Sequence, residues 1–512
     1  MAVRILFLSS EVAPYSKTGG LGDVAGALPA VLAQRGHEVA VLTPRYATVP
    51  TQGLCLRGSL RLHFPFGTQW AEIWEARACE NLRMLFVHQP EYFERPGFYA
   101  EKGVEYADNH RRFAFFSMAA LSAAQMLGLC PQVVHLNEWQ TCLAALALKR
   151  GYEATQLGQA KTLLTLHNLA YQGIFPSWAV EELGLPWELF SPEGFEFWGQ
   201  LSFLKAGIVF ADALSTVSPR YAKEIQTAEF GFGLEGILKK RSSVLRGILN
   251  GMDEKAWSPS ANAHLAAPFA TYSKENVAGK EACSLALLER FALERLAPER
   301  LAQPPSQQRP PIFGSVGRMV AQKGVDLLLG AIPLLVEAGA RVVVVGTGEP
   351  HFEEAFEAMA QRFPGRVGVF IGFDEALSHQ VEAGSDFFMM PSKFEPCGLN
   401  QLYSLRYGAI PVVRSVGGLA DSVKDMGGPA GDETSTGIKF DDFSLPAFWA
   451  ALQRALALFE KPEALNALRK RAMGEDFSWT HAAKEYEALY KSLLEEKAPG
   501  PSTPSAQSTQ AP

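Results

Sequence analysis

The residues best suited to chemistry near the start of the chain form a glycine loop that begins with a lysine. The loop reads Lys17-Thr18-Gly19-Gly20-Leu21-Gly22-Asp23 and lies between an apolar, β-prone run and the apolar spacing of a helix. Adjacent glycines let a backbone approach a ligand closely, a helix N-terminus offers unpaired N–H groups, and the lysine adds a full positive charge. The pattern favours an anion-binding turn, although an ordinary strand-to-helix turn also uses glycine, and Asp23 could simply cap the helix.

Two cations form a second candidate in the other half of the chain. Arg318 follows a predicted strand, and Lys323 comes five residues later, beside Gly324, at the start of a helical pattern. Paired cations at one helix start suit a diphosphate. The alternative is that both are ordinary solvated surface charges.

The segment from 391 to 401 again joins an apolar strand to a helix. Gly398 frees the backbone there, so the amides of Leu399 and Asn400 are available to a distal phosphate. Glu395 suits the hydroxyl groups of a sugar, from which a carboxylate accepts hydrogen bonds, whereas many carboxylates at helix starts are placed by the helix dipole alone. Cys397 is interpreted as a packed thiol and not as a nucleophile, because no basic partner is evident.

The elements that must position these residues alternate between strand and helix, which is typical of parallel α/β sheets covered on both faces. Polar residues follow several predicted strands, where ligands bind in open α/β sheets; among them are Glu138, His167 and Asn168. A proline-rich loop at 303–311 precedes a second α/β series. We predict a first domain at 1–250, a second at 251–480 with a cleft between them, and a disordered tail at 498–512.

Composition excludes several classes of protein. The 512 residues carry a formal net charge of −7 with no basic runs, so nucleic acid is not expected as a partner. There is no apolar span long enough for a membrane helix and no cationic leader in the first ten residues, which favours a cytoplasmic protein. Six cysteines without CxxC spacing argue against a disulfide framework and a structural zinc site.

Two phosphate-binding walls around one cleft, with polyol-compatible residues nearby, indicate a sugar nucleotide. The chain resembles bacterial glycogen synthases and plant starch synthases, the retaining glucosyltransferases of GT-B architecture that use ADP-glucose. The resemblance spans about 5 to 489 and rests on the segments Lys17–Leu21, Tyr106–Asn109, Thr165–Gly173, Leu249–Gly251, Gly317-Arg318 with Gln322–Gly324, and Phe394–Leu399.

The resemblance implies two Rossmann-like domains facing a deep cleft, with the acceptor on the first domain and the nucleotide sugar on the second. It further implies that glucose passes from ADP-glucose to an α-1,4-glucan such as glycogen, without a cofactor or a catalytic metal. A helix at 481–497 would cross back to the first domain. A relative that uses UDP-glucose or a small acceptor, and a silent glucan-binding relative, remain alternatives.

The resemblance also implies a role for each matching residue. Arg318 and Lys323 would hold the diphosphate, His167 would stabilise positive charge at the anomeric carbon, and Glu395 would bind glucose hydroxyls. The remaining expected substrate contacts, including Tyr99 near the acceptor and Phe373 against adenine, are Lys17, Gly19, Gly20, Asp23, Tyr99, Glu138, Asn168, Asn250, Gln322, Phe373, Cys397, Gly398, Leu399, Asn400 and Tyr403.

Two positions depart from the wider pattern. Tyr403 stands where many retaining GT-B enzymes have a second glutamate for the ribose, a change that glycogen and starch synthases share. Glu138 stands where relatives carry an aspartate, so its side chain reaches one methylene further.

Overall fold

The structure is a computed structural model that describes residues 2–295, 309–427 and 433–495. The predicted disordered tail at 498–512 lies outside the described residues. So do the segment 303–308 of the proline-rich loop and residues 496 and 497 of the predicted last helix.

Apolar runs of strand length form a nine-stranded sheet in the first half. β1 is buried at every residue after Arg4, because helices cover both faces of the sheet. Strand order is β14-β13-β9-β8-β1-β2-β5-β4-β3, and β10–β12 and β6–β7 form two small separate sheets. The strands are β1 (Arg4–Leu8), β2 (Glu38–Pro44), β3 (Cys55–Phe64), β4 (Gly67–Cys79), β5 (Leu82–His88), β6 (Ala100–Glu101), β7 (Val104–Glu105), β8 (Val133–Asn137), β9 (Lys161–Leu166), β10 (Ile174–Pro176), β11 (Glu196–Phe197), β12 (Gln200–Ser202), β13 (Ala213–Thr216) and β14 (Leu245–Gly247).

The pairing in this sheet is parallel at its centre and antiparallel at one edge. β1 pairs in parallel with both β2 and β8. β3 and β4 form an antiparallel hairpin that continues onto β5. The alternation of strands and helices did not predict this hairpin, because β3 alternates partly buried residues (Leu60, Leu62 and Phe64) with exposed ones and lacks the continuous apolar run of a central strand.

Helices of the first half cover the sheet and begin near the carboxyl ends of its strands. They are α1 (Gly20–Gln34), α2 (Pro90–Phe93), α3 (Asn109–Met126), α4 (Leu143–Arg150), α5 (Ala179–Glu182), α6 (Phe203–Phe210), α7 (Pro219–Glu224) and α8 (Glu235–Lys240).

The second half is built on a six-stranded parallel sheet in the order β17-β16-β15-β18-β19-β20. Its strands are β15 (Ile312–Val316), β16 (Arg341–Gly346), β17 (Val367–Ile371), β18 (Phe387–Met390), β19 (Ile410–Arg414) and β20 (Ile438–Phe440). The remaining described helices are α9 (Ala278–Arg290), α10 (Val325–Glu337), α11 (Pro350–Arg362), α12 (Glu375–Gly384), α13 (Asn400–Tyr407), α14 (Gly417–Ser422), α15 (Leu445–Phe459), α16 (Pro462–Ala472) and α17 (Trp479–Glu495).

The last helix, α17, packs on the first half although it follows the second half in sequence. Its buried residues join the core around β1, and the hydroxyl of Tyr490 lies 2.8 Å from Nδ1 of His135. Just before the helix, the N–H of Met252 donates to the carbonyl of Phe477 at 2.8 Å. The chain therefore crosses between its halves twice, at adjacent points.

None of the helices in the described ranges combines the length and the hydropathy needed to span a bilayer.

A buried charge cluster joins three elements of the second half. Asp386, which precedes β18, is fully buried, and its carboxylate accepts from the guanidinium groups of Arg309 (2.7 and 2.9 Å) and Arg469 (2.5 Å). The N–H of Ile312 donates to the same carboxylate at 2.9 Å. Although burial opposes its charge, these partners lower the pKa of Asp386 from 3.8 to about 2.

We expect Asp386→Asn to destabilise the second half by about 3–5 kcal/mol, because the buried guanidinium of Arg469 would lose its counter-charge and that of Arg309 would keep only the partly exposed Glu281. Since the folded-state pKa of Asp386 is depressed, the wild-type stabilisation is present above about pH 4 and is lost as the pH falls toward 2. Differential scanning calorimetry at neutral pH would measure the change, with the exposed Asp441→Asn as control. Equal melting temperatures for the two variants would contradict the expectation.

Candidate active site

A cavity of about 440 Å³ lies between the two halves of the chain. Its first wall comes from the glycine loop and the carboxyl ends of β8 and β9, and its second wall comes from the segments after β15 and β18. The predicted site residues that line it are His167, Arg318, Lys323, Glu395, Gly19, Gly20, Tyr99, Glu138, Asn168, Asn250, Gln322, Cys397, Gly398, Leu399 and Asn400.

Four predicted site residues do not line this cavity. Nζ of Lys17 pairs with the carboxylate of Asp23 at 2.7 Å. Phe373 is 84% exposed, and the ring of Tyr403 is buried in a stack with Trp257 at a centroid distance of 3.7 Å. Their proposed contacts with substrate remain predictions.

The cavity also contains residues that sequence reasoning missed. They are Glu11, Thr18, Leu21, Glu105, Trp139, Gln140, Tyr171, Val217 and Pro396. Glu11 could have been found, because it follows the carboxyl end of β1, where the same argument had already selected residues after β8 and β9.

Glu11 holds the glycine loop in place. Its buried carboxylate accepts from the backbone N–H of Thr18 at 2.5 Å and from the hydroxyl of Thr18 at 2.7 Å. The hydroxyl of Tyr99 donates to it at 2.7 Å. Because these donors occupy the carboxylate, the role of Glu11 is to orient the loop and Tyr99 toward the cavity.

Glu138 organises the ends of β8 and β9. Its backbone has φ +61°, in the left-handed region, and its carboxylate accepts from the amides of His167 and Asn168, the latter at 3.0 Å. Burial raises the pKa of Glu138 to about 8, against the opposing effect of those two hydrogen bonds. The longer side chain noted in the sequence thus fixes the backbone of two predicted site residues.

His167 presents a neutral ring. Burial lowers its pKa to about 3, and Nε2 lies 2.9 Å from Oδ1 of Asn137. At neutral pH the imidazole therefore carries no charge into the cavity. Nearby, Oδ1 of Asn250 is buried without a hydrogen-bond partner in the described parts of the chain, which is typical of an atom that awaits a ligand.

The second wall supplies the positive charge. Nζ of Lys323 lies 2.6 Å from Oε2 of Glu395, which also accepts from the hydroxyl of Ser392 at 3.0 Å. The guanidinium of Arg318 has no ion-pair or hydrogen-bond partner among residues 2–295, 309–427 and 433–495, and it lines the cavity. An unpaired cation beside a paired one is suited to an incoming anion.

The backbone around Glu395 is held by glycines and by the first half of the chain. Gly417 has φ +44°, and a Cβ there would lie 1.9 Å from the carbonyl oxygen of Glu395. The N–H of Gly417 donates to the carboxylate of Glu224 in α7 at 3.0 Å, and the N–H of Gly418 donates to the carbonyl of Glu395 at 3.0 Å. Glu224 therefore connects the first half to the segment that carries Glu395.

Cys397 is not suited to nucleophilic chemistry. It is buried, and burial raises the pKa of its thiol to about 12. The interpretation of Cys397 as a packed thiol agrees with this.

One group of residues outside the cavity has metal-ligating side chains. Potential ligand atoms of His264, Glu375 and His379 lie within 4.8 Å of one another. The rings of the two histidines are stacked, however, with centroids 4.7 Å apart and planes 23° apart. Nitrogen lone pairs lie in the ring planes, so in this arrangement they do not converge on one ion.

Comparison with known proteins gives consistent matches along the chain. The family model "Starch synthase catalytic domain" matches residues 4–240, and "Glycosyl transferases group 1" matches 298–472. A glycogen synthase of Myxococcus xanthus (strain DK1622) is 50% identical over 498 residues, which cover 96% of this chain and 100% of the relative. A glycogen synthase of Koribacter versatilis (strain Ellin345) is 40% identical and covers 98% and 100%.

Solved structures agree with these matches. The catalytic domain of starch synthase IV from Arabidopsis thaliana, bound to ADP and acarbose, is 33% identical with a TM-score of 0.86 and covers 97% of this chain and 100% of that chain. A sucrose-phosphate synthase from Thermosynechococcus elongatus shares the fold at 17% identity and a TM-score of 0.57.

We expect the stability contributed by Glu138 to fall as the pH rises. A raised folded-state pKa means that this contribution is fully present below about pH 4.5 and is lost through about pH 8. The melting temperature of the wild type, relative to that of Glu138→Gln, should therefore decrease between about pH 6 and about pH 9. Glu105→Gln, an exposed carboxylate of the same cavity, is the control, and a constant difference for Glu138→Gln would contradict this expectation.

Proposed function

The chain belongs to the glycogen and starch synthase family, and on this premise we propose that it transfers glucose from ADP-glucose to the non-reducing end of an α-1,4-glucan with retention of configuration. The GT-B architecture predicted from the sequence is confirmed by the starch synthase structure, and membership of the glucosyltransferase class is confirmed by the relatives. The donor nucleotide, the acceptor and the stereochemistry are the proposal.

The observation that carries this proposal is the unpaired guanidinium of Arg318 beside the Lys323–Glu395 pair, across the cavity from the neutral ring of His167. A diphosphate would bind the two cations, and the polar atoms of Glu395 and Asn250 would accept or donate to sugar hydroxyls. The structure of the Arabidopsis relative was solved with ADP, which supports an ADP-linked donor.

Charge stabilisation drives the proposed reaction. As the bond between the anomeric carbon and the phosphate oxygen breaks, negative charge grows on the departing ADP, where Arg318 and Lys323 offset it. Positive charge grows at the anomeric carbon. The uncharged ring of His167 can lie near that carbon without repelling it, because its pKa is far below neutrality.

Retention is proposed to proceed on one face of the sugar. The acceptor's 4-hydroxyl attacks the anomeric carbon from the side that ADP leaves, and its proton passes to the departing phosphate oxygen. No protein nucleophile is required, and the neutral thiol of Cys397 is unsuited to that role. Closure of the two halves would exclude water and so limit hydrolysis.

The cation pair makes a metal unnecessary for holding the diphosphate, so we propose that the transfer uses no metal and no cofactor. ADP-glucose and the glucan are the proposed partners, and nucleic acid and membranes are not. A cytoplasmic location remains a prediction from the sequence.

The donor proposal is tested by initial rates on a glycogen primer with ADP-glucose and with UDP-glucose, each with and without EDTA. We expect faster transfer from ADP-glucose and no effect of EDTA. A preference for UDP-glucose would overturn the proposed donor and leave the fold unaffected, whereas loss of activity with EDTA would overturn the metal-free proposal. Maltose and glucose 1-phosphate as alternative acceptors test the glucan assignment.

We expect Lys323→Ala and Glu395→Ala each to lower turnover by about 100-fold or more, because each removes a group that acts on the developing charge or on the sugar. Melting temperatures should show that the fold is retained. Lys393→Ala is the matched control, since Lys393 is an exposed lysine of the same segment that does not line the cavity. Near-normal rates in both site variants would contradict the assignment.

A further inference from the structure

Trp198 occupies a turn position whose backbone conformation does not suit tryptophan. Strands β11 and β12 are joined by the two residues Trp198 and Gly199, which have φ values of +51° and +75°. Such two-residue hairpins favour Asn-Gly or Gly-Gly, because both positions require the left-handed region. A bulky residue there is strained, so turn chemistry does not explain Trp198.

Packing does not explain Trp198 either. Its side chain is 81% exposed, second only to Phe373 among the large apolar residues in the described ranges that are exposed. A tryptophan that is neither buried nor suited to its turn is best explained by what its ring contacts outside the protein.

Trp198 lies beside a second strained aromatic residue. Its Nε1 is 3.4 Å from the point where a Cβ on Gly233 would lie, and Gly233 follows Phe232. Phe232 has φ +48° and is 39% exposed. Two adjacent exposed aromatic residues therefore both adopt the left-handed backbone conformation.

These rings lead to the cavity. The ring of Phe232 contacts that of Phe394, the neighbour of Glu395, at a centroid distance of 5.4 Å. The carbonyl of Phe232 accepts from Nε2 of Gln172 at 3.0 Å, and the preceding residue, Tyr171, lines the cavity and is 50% exposed. Exposed aromatic side chains thus extend from the reacting site to the surface.

We propose that Tyr171, Phe232 and Trp198 form an aromatic platform that binds the acceptor glucan several units away from its reacting end. This inference rests on the proposed function. A pyranose ring presents faces of C–H groups that stack on aromatic rings, whereas its hydroxyls point outward to water. The platform is continuous with the cavity, so a chain whose end lies at the reacting site can follow it outward.

The platform predicts that the affinity for the acceptor increases with the length of its glucan chain. We expect a short oligosaccharide to end before Trp198, which is the most exposed of the three rings and does not line the cavity, and only a long outer chain to reach it. Trp198 should therefore strengthen the binding of glycogen without affecting the chemical step or the donor.

The test uses Trp198→Asn, which removes the ring and supplies a residue that favours the turn, so that misfolding is not the expected result. Trp198→Phe keeps a ring. Trp70→Asn is the matched control, because Trp70 is 52% exposed on the β3–β4 hairpin and does not line the cavity. Native gels containing glycogen measure binding without donor, and initial rates with glycogen and with maltotriose measure transfer.

We expect Trp198→Asn to raise the dissociation constant and the KM for glycogen roughly 3- to 10-fold, with a smaller effect for Trp198→Phe and none for Trp70→Asn. The KM for the donor and the rates with maltotriose should match those of the wild type. Unchanged glycogen binding in Trp198→Asn would overturn the platform, and so would a change confined to the association state in size-exclusion chromatography. If the wild type transfers no glucose but its glycogen binding still depends on Trp198, the proposed function fails and the platform stands.

Discussion

The ion pair between Lys323 and Glu395 is the interaction on which the site depends. A carboxylate that is almost fully buried needs a counter-charge, and Lys323 supplies it at 2.6 Å. Much of the second wall serves to keep the two together. Gly324, at φ +69°, has no Cβ and so lets the chain between Lys323 and α10 pass close to the carbonyl of Pro391. Gly417 likewise lets α14 approach the carbonyl of Glu395.

The segment that carries Glu395 also depends on a contact with the first half of the chain. Glu224 belongs to the first half, yet its carboxylate binds the N–H of Gly417 beside the Glu395 segment. The neutral ring of His167 and the orphaned oxygen of Asn250 line the same cavity as the cations. Neither wall alone has the charges and the hydrogen-bonding groups that a sugar diphosphate requires.

The sequence predicted the site best where backbone chemistry determines the position. Gly398, Leu399 and Asn400 line the cavity as expected, because a glycine turn between a buried strand and a helix has few alternative conformations. The positions of long side chains were harder to predict from the sequence. Lys17 pairs with Asp23 and does not line the cavity, and the residue types of the loop did not predict this pairing.

Other features depended on contacts between distant parts of the chain. The stack of Tyr403 on Trp257 leaves no local pattern, since the two rings are far apart in sequence. Alternation of strands and helices predicted two α/β halves, but the antiparallel β3–β4 hairpin at the edge lacks the apolar run of a central strand.

The double crossing between the halves determines what kind of motion and what kind of rearrangement the molecule permits. We expect the two adjacent connections, bridged where the N–H of Met252 donates to the carbonyl of Phe477, to be the hinge of any motion between the halves, because the chain passes from one half to the other there. Because α17 completes the core of the first half, a cut in the sequence between the two halves would remove part of that core. An exchange of the second half between relatives would have to spare the last helix.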